Sequence, residues 1–382
     1  MTSFELHVPD REIADLRERL ARTRWPDQPH GEPWAYGSDL RYVQDLASYW
    51  GQEFDWREQE AALNAFPQDR IEVHGIPLHF LHVPGQGPDP LPLLISHGWP
   101  GSVFEFLQVI PRLTDPARFG GDPADAFTVV APSLPGYGLS FRPGQPRMGI
   151  RQITACLADL MVDVLGYRRF GAQGGDWGAY VAATLGTEYE AHLIGLHLNF
   201  LPPLVRQPTA PPAPTAEGAA FRERYREWQR EESGYATLQG TKPQTLAFAL
   251  TDSPVGLAAW IVEKMRAWSD HDGNVEDAIG RDVMLANISL YWFTRAIGSS
   301  FWPYYAERHG DRPPGESSRP VSVPVGYAEF PAEILRPPRS VAELSYRDIR
   351  RWTTMPRGGH FAALEQPAAL AAEVAAFFRP LR

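Results

Sequence analysis

Residues 171–180, GAQGGDWGAY, decide how the chain is read. An arginine-led apolar run, RRFGAQ, precedes a cluster of small residues around Asp176, and AYVAATLGTEY follows with helical spacing. Strand, tight turn and helix are therefore expected in that order, with Gly174, Gly175 and Gly178 letting the backbone turn sharply and neighbouring segments come close. The side chain at the apex is thrust out at the carboxyl end of its strand, where open parallel sheets bind their ligands. The positive end of the following helix favours an anion there. A serine hydroxyl in this place needs a base before it can attack, whereas a carboxylate is already charged at neutral pH. It can displace a leaving group from saturated carbon and form an ester. Water must then cleave that ester, and this second step needs a base and an oxyanion hole. An aspartate that merely caps its helix is the plainer alternative, and the motif alone does not separate the two.

The pattern around the turn places it in a sheet. IEVHGIPLHFLHV (71–83) reads as a hairpin about Gly75. LPLLIS, AFTVVAP, RRFGAQ and HLIGLHLNF read as buried strands, separated by helical stretches such as SVFEFLQVIPRL and ITACLADLMVDVLGY. Such alternation implies an α/β fold with a parallel sheet covered on both faces. Before it, residues 1–68 read as a helical arm: Ile13, Leu16 and Leu20 share a face behind a capping Asp10, and residues 42–66 form a second amphipathic stretch. After Phe200 the proline-rich LPPLVRQPTAPPAPTAEG breaks the pattern, and helical segments follow. The expected organisation is an N-terminal arm (1–68), a first core part (69–199), a helical lid (200–319) and a second core part (320–382). In the last of these, VSVPVGYAEF and IRRWTTMP are strands and PAALAAEVAAFF is a helix.

The charge, −10 over 382 residues, argues against a nucleic-acid surface. Cys156 is the one cysteine, so no internal disulfide forms, and its apolar surroundings mark it as core. The first residues lack the pattern of a secretory signal and no apolar run reaches the length of a membrane span, so a cytoplasmic protein with no membrane partner is expected.

A nucleophile elbow at Asp176 calls for partners after other strands. MPRGGHFAALEQP sets His360 behind a Gly-Gly turn after the last strand, the place of the base when the chain order is nucleophile, acid, histidine. The acid belongs after the preceding strand, where VGYAEFPAEIL offers Glu333, with Glu329 as the alternative. The turn ISHGWPGS supplies a backbone N–H at Trp99, and the residue after the nucleophile supplies another at Trp177; together they form an oxyanion hole. His97 reads as structural.

HGWPGS, GGDWG and GGHFAALEQP, in this order, resemble the epoxide hydrolases of the α/β-hydrolase fold, and most nearly their microsomal and juvenile-hormone branch with its soluble microbial relatives. RWPD and FDWREQEAALNAFP resemble the N-terminal segment of that branch, and residues 232–264 its lid. The resemblance spans nearly the whole chain. It implies a mostly parallel, eight-stranded sheet and two lid tyrosines that donate to the epoxide oxygen as it becomes an alkoxide. Tyr235 stands at the first position; Tyr304, with Tyr305 as the alternative, stands at the second. The membrane-bound members have an N-terminal anchor that this sequence does not show. Haloalkane dehalogenases share the D-W-G elbow but need side-chain halide donors in place of the tyrosines. A catalytically silent binding protein would have no need of Asp176, Glu333 and His360 together. The expected reaction joins a hydrophobic epoxide and water into a vicinal diol, with no metal or cofactor. Trp260, Trp268, Trp292 and Phe293 make the lid apolar. A homo-oligomer is left open.

Overall fold

The structure, a computed structural model, describes residues 2–202, 215–310 and 319–382. Most of the proline-rich connector (203–214) and the end of the expected lid (311–318) lie outside the described residues.

Among the described residues nine strands form one sheet: β1 (Thr2–Ser3), β2 (Gln68–Val73), β3 (Ile76–Val83), β4 (Leu91–Ser96), β5 (Phe127–Pro132), β6 (Phe170–Gly174), β7 (Leu193–Leu198), β8 (Val325–Glu329) and β9 (Ile349–Thr354). Their order is β1-β2-β3-β5-β4-β6-β7-β8-β9. Pairing from β1 through β3 to β5 is antiparallel, and from β5 onward it is parallel. Eight strands were expected. The ninth, β1, is two residues laid on the edge of β2, too short to carry a periodic signal. β8 is also shorter than VSVPVGYAEF suggests. Val321 makes only an isolated bridge with Tyr346, and Pro324, which has no N–H to give to a ladder, stands just before the strand.

Sixteen helices surround the sheet among the described residues. The arm has α1 (Asp10–Ala21), α2 (Leu40–Gln52) and α3 (Trp56–Asn64). The first half of the sheet is followed and covered by α4 (Val109–Thr114), α5 (Ile150–Asp159) and α6 (Asp176–Glu188). Between β7 and β8 come α7 (Ala216–Glu231), α8 (Gly234–Thr241), α9 (Pro243–Asp252), α10 (Pro254–Trp268), α11 (Arg281–Thr294), α12 (Ile297–Ser300) and α13 (Trp302–His309). The chain closes with α14 (Arg339–Ala342), α15 (Ala362–Glu365) and α16 (Pro367–Phe378). Among the described residues no single helix is long and apolar enough to cross a membrane.

The arm departs from its expected form in two ways. The N-cap of α1 is Pro9, and Asp10 is its first helical residue, paired with Arg57 of α3. The amphipathic stretch 42–66 is broken in two because Asp55 caps a fresh helix, accepting from the Arg57 N–H. Asp39 caps α2, whose buried face carries Val43, Leu46, Ala47 and Trp50. The Trp50 indole donates to Ser289 Oγ at 2.9 Å, tying the arm to α11.

The elbow depends on two backbones touching. A Cβ at Gly178 would lie 1.9 Å from the Ser96 carbonyl oxygen, so only glycine lets α6 start against the end of β4. Because rigid backbone lies on both sides, Gly178→Ala should lower Tm by at least about 5 °C, an overpacking cost of a few kcal/mol. Calorimetry checks it; an unchanged Tm would mean that the two backbones do not meet.

Candidate active site

Five strand ends converge on one place. Trp99 follows β4, Asp176 follows β6, Asn199 follows β7, Glu333 follows β8 and His360 follows β9. Asp176 itself, not a flanking glycine, takes the left-handed conformation, with φ of +45°. A non-glycine residue held there is strained, and such strain collects at functional sites where the surroundings over-determine it. The conformation lifts the carboxylate over the N-terminus of α6.

Asp176 Oδ1 accepts the Trp99 N–H at 2.7 Å. Trp177 is the second residue of α6, where the helix makes no internal use of its N–H. Gly98 makes the approach of the two turns workable: a Cβ there would lie 2.1 Å from Asp176 Oδ1. On the other carboxylate oxygen, Oδ2, His360 Nε2 stands 3.6 Å away. The far ring nitrogen of His360, Nδ1, meets Glu333 Oε1 at 2.7 Å, which also accepts the Ile334 N–H. Glu333 and His360 are almost wholly buried, and the Asp176 side chain keeps 19% of its surface. Burial works to lower the His360 pKa. The charges of Glu333 and Asp176, and the hydrogen bonds to both, outweigh it, so the imidazole is raised well above 6.5.

Tyr235 on α8 and Tyr304 on α13 are both buried over this centre. Tyr235 stacks on the Trp99 ring, with centroids 5.3 Å apart and planes within 11°, and Tyr304 stands edge-on to both Trp99 and Trp177. Their own ring centroids are 5.9 Å apart. Burial, then the Asp176 charge, holds the Tyr235 phenol pKa well above its usual value; for Tyr304, burial leads, followed by Tyr235 and Asp176. Both are hydrogen-bond donors at neutral pH.

The two alternatives sit elsewhere. Glu329 Oε2 accepts the Trp352 indole N–H and the Thr354 hydroxyl, each at 3.2 Å. Tyr305 stacks on Trp302 and His309, one helical step away from Tyr304 and off the site. His97 is buried, accepts the Leu134 N–H through Nε2, and is pushed down to about 4 by that burial. Of the four aromatic residues expected to line the lid, only Trp268 reaches the centre, 5.1 Å from the His360 ring. Trp260 donates to Gln239, while Trp292 and Phe293 turn to Arg19 and Trp56 of the arm.

Several supporting residues carry no sequence signal of their own. Glu365 Oε2 accepts N–H groups from Asp270 and Gly359, and its Oε1 accepts from Phe361, so the loop bearing His360 is tied on both sides. The Trp268 carbonyl accepts the His360 N–H at 2.8 Å. Asn287 and Tyr291 of α11 bond the carbonyls of Pro100 and Gly101, fixing the Trp99 turn from above. The i+5 spacing of Glu365 from His360 could have been noticed. Tyr291 looks like ordinary packing from its apolar helix.

No group of three or more potential metal ligands occurs among the described residues. The arrangement is a carboxyl group held by an N–H, a charged histidine with its own carboxylate partner, and two phenols.

The family model described as "Epoxide hydrolase N terminus" matches residues 1–106, and that for the alpha/beta hydrolase fold matches residues 92–199. A relative from Stigmatella aurantiaca is 44% identical over 100% of this chain and 86% of its own length. Epoxide hydrolase 1 of Oryctolagus cuniculus is 37% identical over 98% of this chain and 88% of its own. The crystal structure of juvenile hormone epoxide hydrolase from the silkworm Bombyx mori superposes with a TM-score of 0.87 at 29% identity, covering 100% of this chain and 94% of that one. With the fold and these relatives agreeing along the whole length, the chain belongs to the epoxide hydrolase family, hydrolases that act on ether bonds.

Proposed function

We propose that the protein converts a hydrophobic epoxide to a vicinal diol through an ester of Asp176. The observation that carries this is that Asp176 accepts the Trp99 N–H and stands 3.6 Å from His360, while the Tyr235 and Tyr304 rings pack on Trp99 and Trp177 around it. Asp176 attacks an epoxide carbon while Tyr235 and Tyr304 donate to the oxygen; one of them gives up its proton as the C–O bond breaks. Forming the ester removes a negative charge from beside His360. One of the two anions that hold its proton is then gone, so its pKa falls; the imidazolium returns its proton to the tyrosinate and, now neutral, can act as the base. It takes a proton from water, whose oxygen adds to the Asp176 carbonyl carbon. The Trp99 and Trp177 N–H groups hold the resulting oxyanion. Collapse breaks the ester bond, the proton on His360 passes to the departing diol oxygen, and the acid proton left on Asp176 returns His360 to its charged form.

In this proposal residues 200–319 act as a lid, residues 1–68 as an arm bracing it, and the site of action is the cytoplasm. The Trp99, Trp268 and Tyr235 rings support an apolar substrate. A panel of aryl, terpene and fatty epoxides, assayed for diol, tests the reading. Chloroalkanes should release no halide, and turnover of them with none of the epoxides would overturn it.

Tyr235→Phe and Tyr304→Phe should each slow ring opening by about 10²-fold, within the range usual for a positioned acid. Tyr305→Phe should leave it unchanged. Rapid-quench measurement of ester formation checks all three, and an effect confined to Tyr305 would move the role.

The His360 pKa gives a further expectation. It is raised in the fold, so the stabilisation from its ion pairs is complete below the ordinary value of 6.5 and is lost as pH rises through the raised value. Asp176→Asn removes one of the two charges, so the imidazole should titrate at lower pH than in the wild type. NMR titration of the ring proton reads this directly; an unmoved value would show that Asp176 does not hold that proton.

A further inference from the structure

Beside Asp176 and His360 lies a small chamber of about 20 Å³. That is room for one water. Asp176, His360, Glu105, Gln173 and Asn199 are among the residues that line it, and neither Tyr235 nor Tyr304 is. Of these, Glu105 is the titratable group that the mechanism leaves unused. It stands in the short 3₁₀ turn Val103–Phe106, and its carboxyl folds back under the Trp99 turn: a Cβ on Gly101 would lie 1.4 Å from Glu105 Oε1. Desolvation raises this carboxyl to about 8; the charge of His360 and a hydrogen bond with the Ser102 backbone pull it down, and the charge of Asp176 pushes it up.

A plainer role exists. Ser102 Oγ accepts the Phe104 N–H and the Glu105 carboxyl bonds the Ser102 backbone, so both residues cap the start of the turn. A cap at a surface turn has its carboxylate in water. Here the carboxyl has been carried into the wall of a chamber shared with the nucleophile and the base, which a cap for a four-residue turn does not require.

We propose that this chamber holds the hydrolytic water and that Glu105 positions it for attack on the Asp176 ester. The inference rests on the ester reading above. It also separates the two half-reactions in space. The epoxide enters from the tyrosine side, and the alkyl group of the ester stays there. Water waits on the opposite face of the Asp176 carbonyl, within reach of His360, and is not displaced by the substrate. Its proton passes to His360 and its oxygen to the carboxyl carbon. Glu105 exchanges no proton in the step; it fixes the direction of the lone pair.

Glu105→Leu and Glu105→Gln, followed by rapid quench and intact-mass measurement, test the proposal. Leucine cannot hold water, so ester breakdown should slow by about 10–100-fold, the loss of one or two hydrogen bonds to a reacting group. Ester should accumulate while its formation rate changes little. Glutamine keeps both a donor and an acceptor, so breakdown should slow by less than about 5-fold. A role confined to bracing the Trp99 turn would slow formation and breakdown together, because that turn holds Asp176, and this result would overturn the proposal. So would wild-type breakdown in Glu105→Leu. If that variant does not fold, a high-resolution crystal structure of the wild type decides: one water bonded to Glu105 and facing Asp176 supports the proposal, and a water with no contact to Glu105 overturns it. Absence of any ester in the wild type would be a different failure, that of the nucleophile reading itself.

Discussion

Asp176→Asn should lower diol formation by at least about 10⁴-fold, as removal of a nucleophile does in enzymes whose groups act as a unit. The amide has nearly the shape of the acid, and its oxygen can still accept the Trp99 N–H, so the fold should survive. What it lacks is charge: a neutral amide oxygen does not open an ether at saturated carbon. The wild type offers the matching positive result. In a single turnover in heavy-oxygen water, with enzyme in excess, the label should enter the Asp176 carboxyl group. The new hydroxyl of the diol should carry the unlabelled oxygen that Asp176 gave it, because water adds to the acyl carbon and the acyl–oxygen bond breaks. Mass spectrometry of the peptide containing residue 176 and of the diol reads both. Label found only in the first-turnover diol would mean that water attacks the epoxide directly, and Asp176 would then be an electrostatic neighbour and no nucleophile.

How much of this is legible in the sequence follows from the kind of signal each part leaves. The elbow was legible because a buried strand, two small residues and a helix are local and periodic. What local pattern could not reveal is where the strain sits. The glycines are needed for space against Ser96 and Gly98 against Asp176, while the unusual φ belongs to Asp176 itself. The alternatives at Glu329/Glu333 and Tyr304/Tyr305 could not be divided by spacing. Neighbours in a helix point about 100° apart, and both tyrosines are aromatic, so only the packing of α13 against α8 decides which one faces Trp177. The same limit explains the lid. Trp292 and Phe293 are apolar and helical, as a lining would be, but their face is covered by the arm. The carboxyl groups of Glu365 and Glu105 reach back to their own loops. Such contacts leave no periodic trace, and short acidic turns are ordinarily solvated.

His360→Gln should arrest the enzyme halfway. Attack by Asp176 requires no base, so the ester should still form on the first encounter with substrate. Glutamine is not basic and cannot take the proton of water, so breakdown should fall by about 10²–10⁴-fold, the usual contribution of a positioned acid–base group. The intact protein should then gain the mass of one epoxide, and the adduct should map to Asp176. Glu333→Gln should show the same arrest in weaker form, because His360 would keep its ring but lose the carboxylate that orients and charges it through Nδ1. The order matters, since a group needed only after the ester must stop turnover without stopping adduct formation. An inert His360→Gln protein that carries no adduct would place the histidine before ring opening. Undiminished turnover would remove it from the mechanism, and with it the reason for burying Glu333 against its far nitrogen.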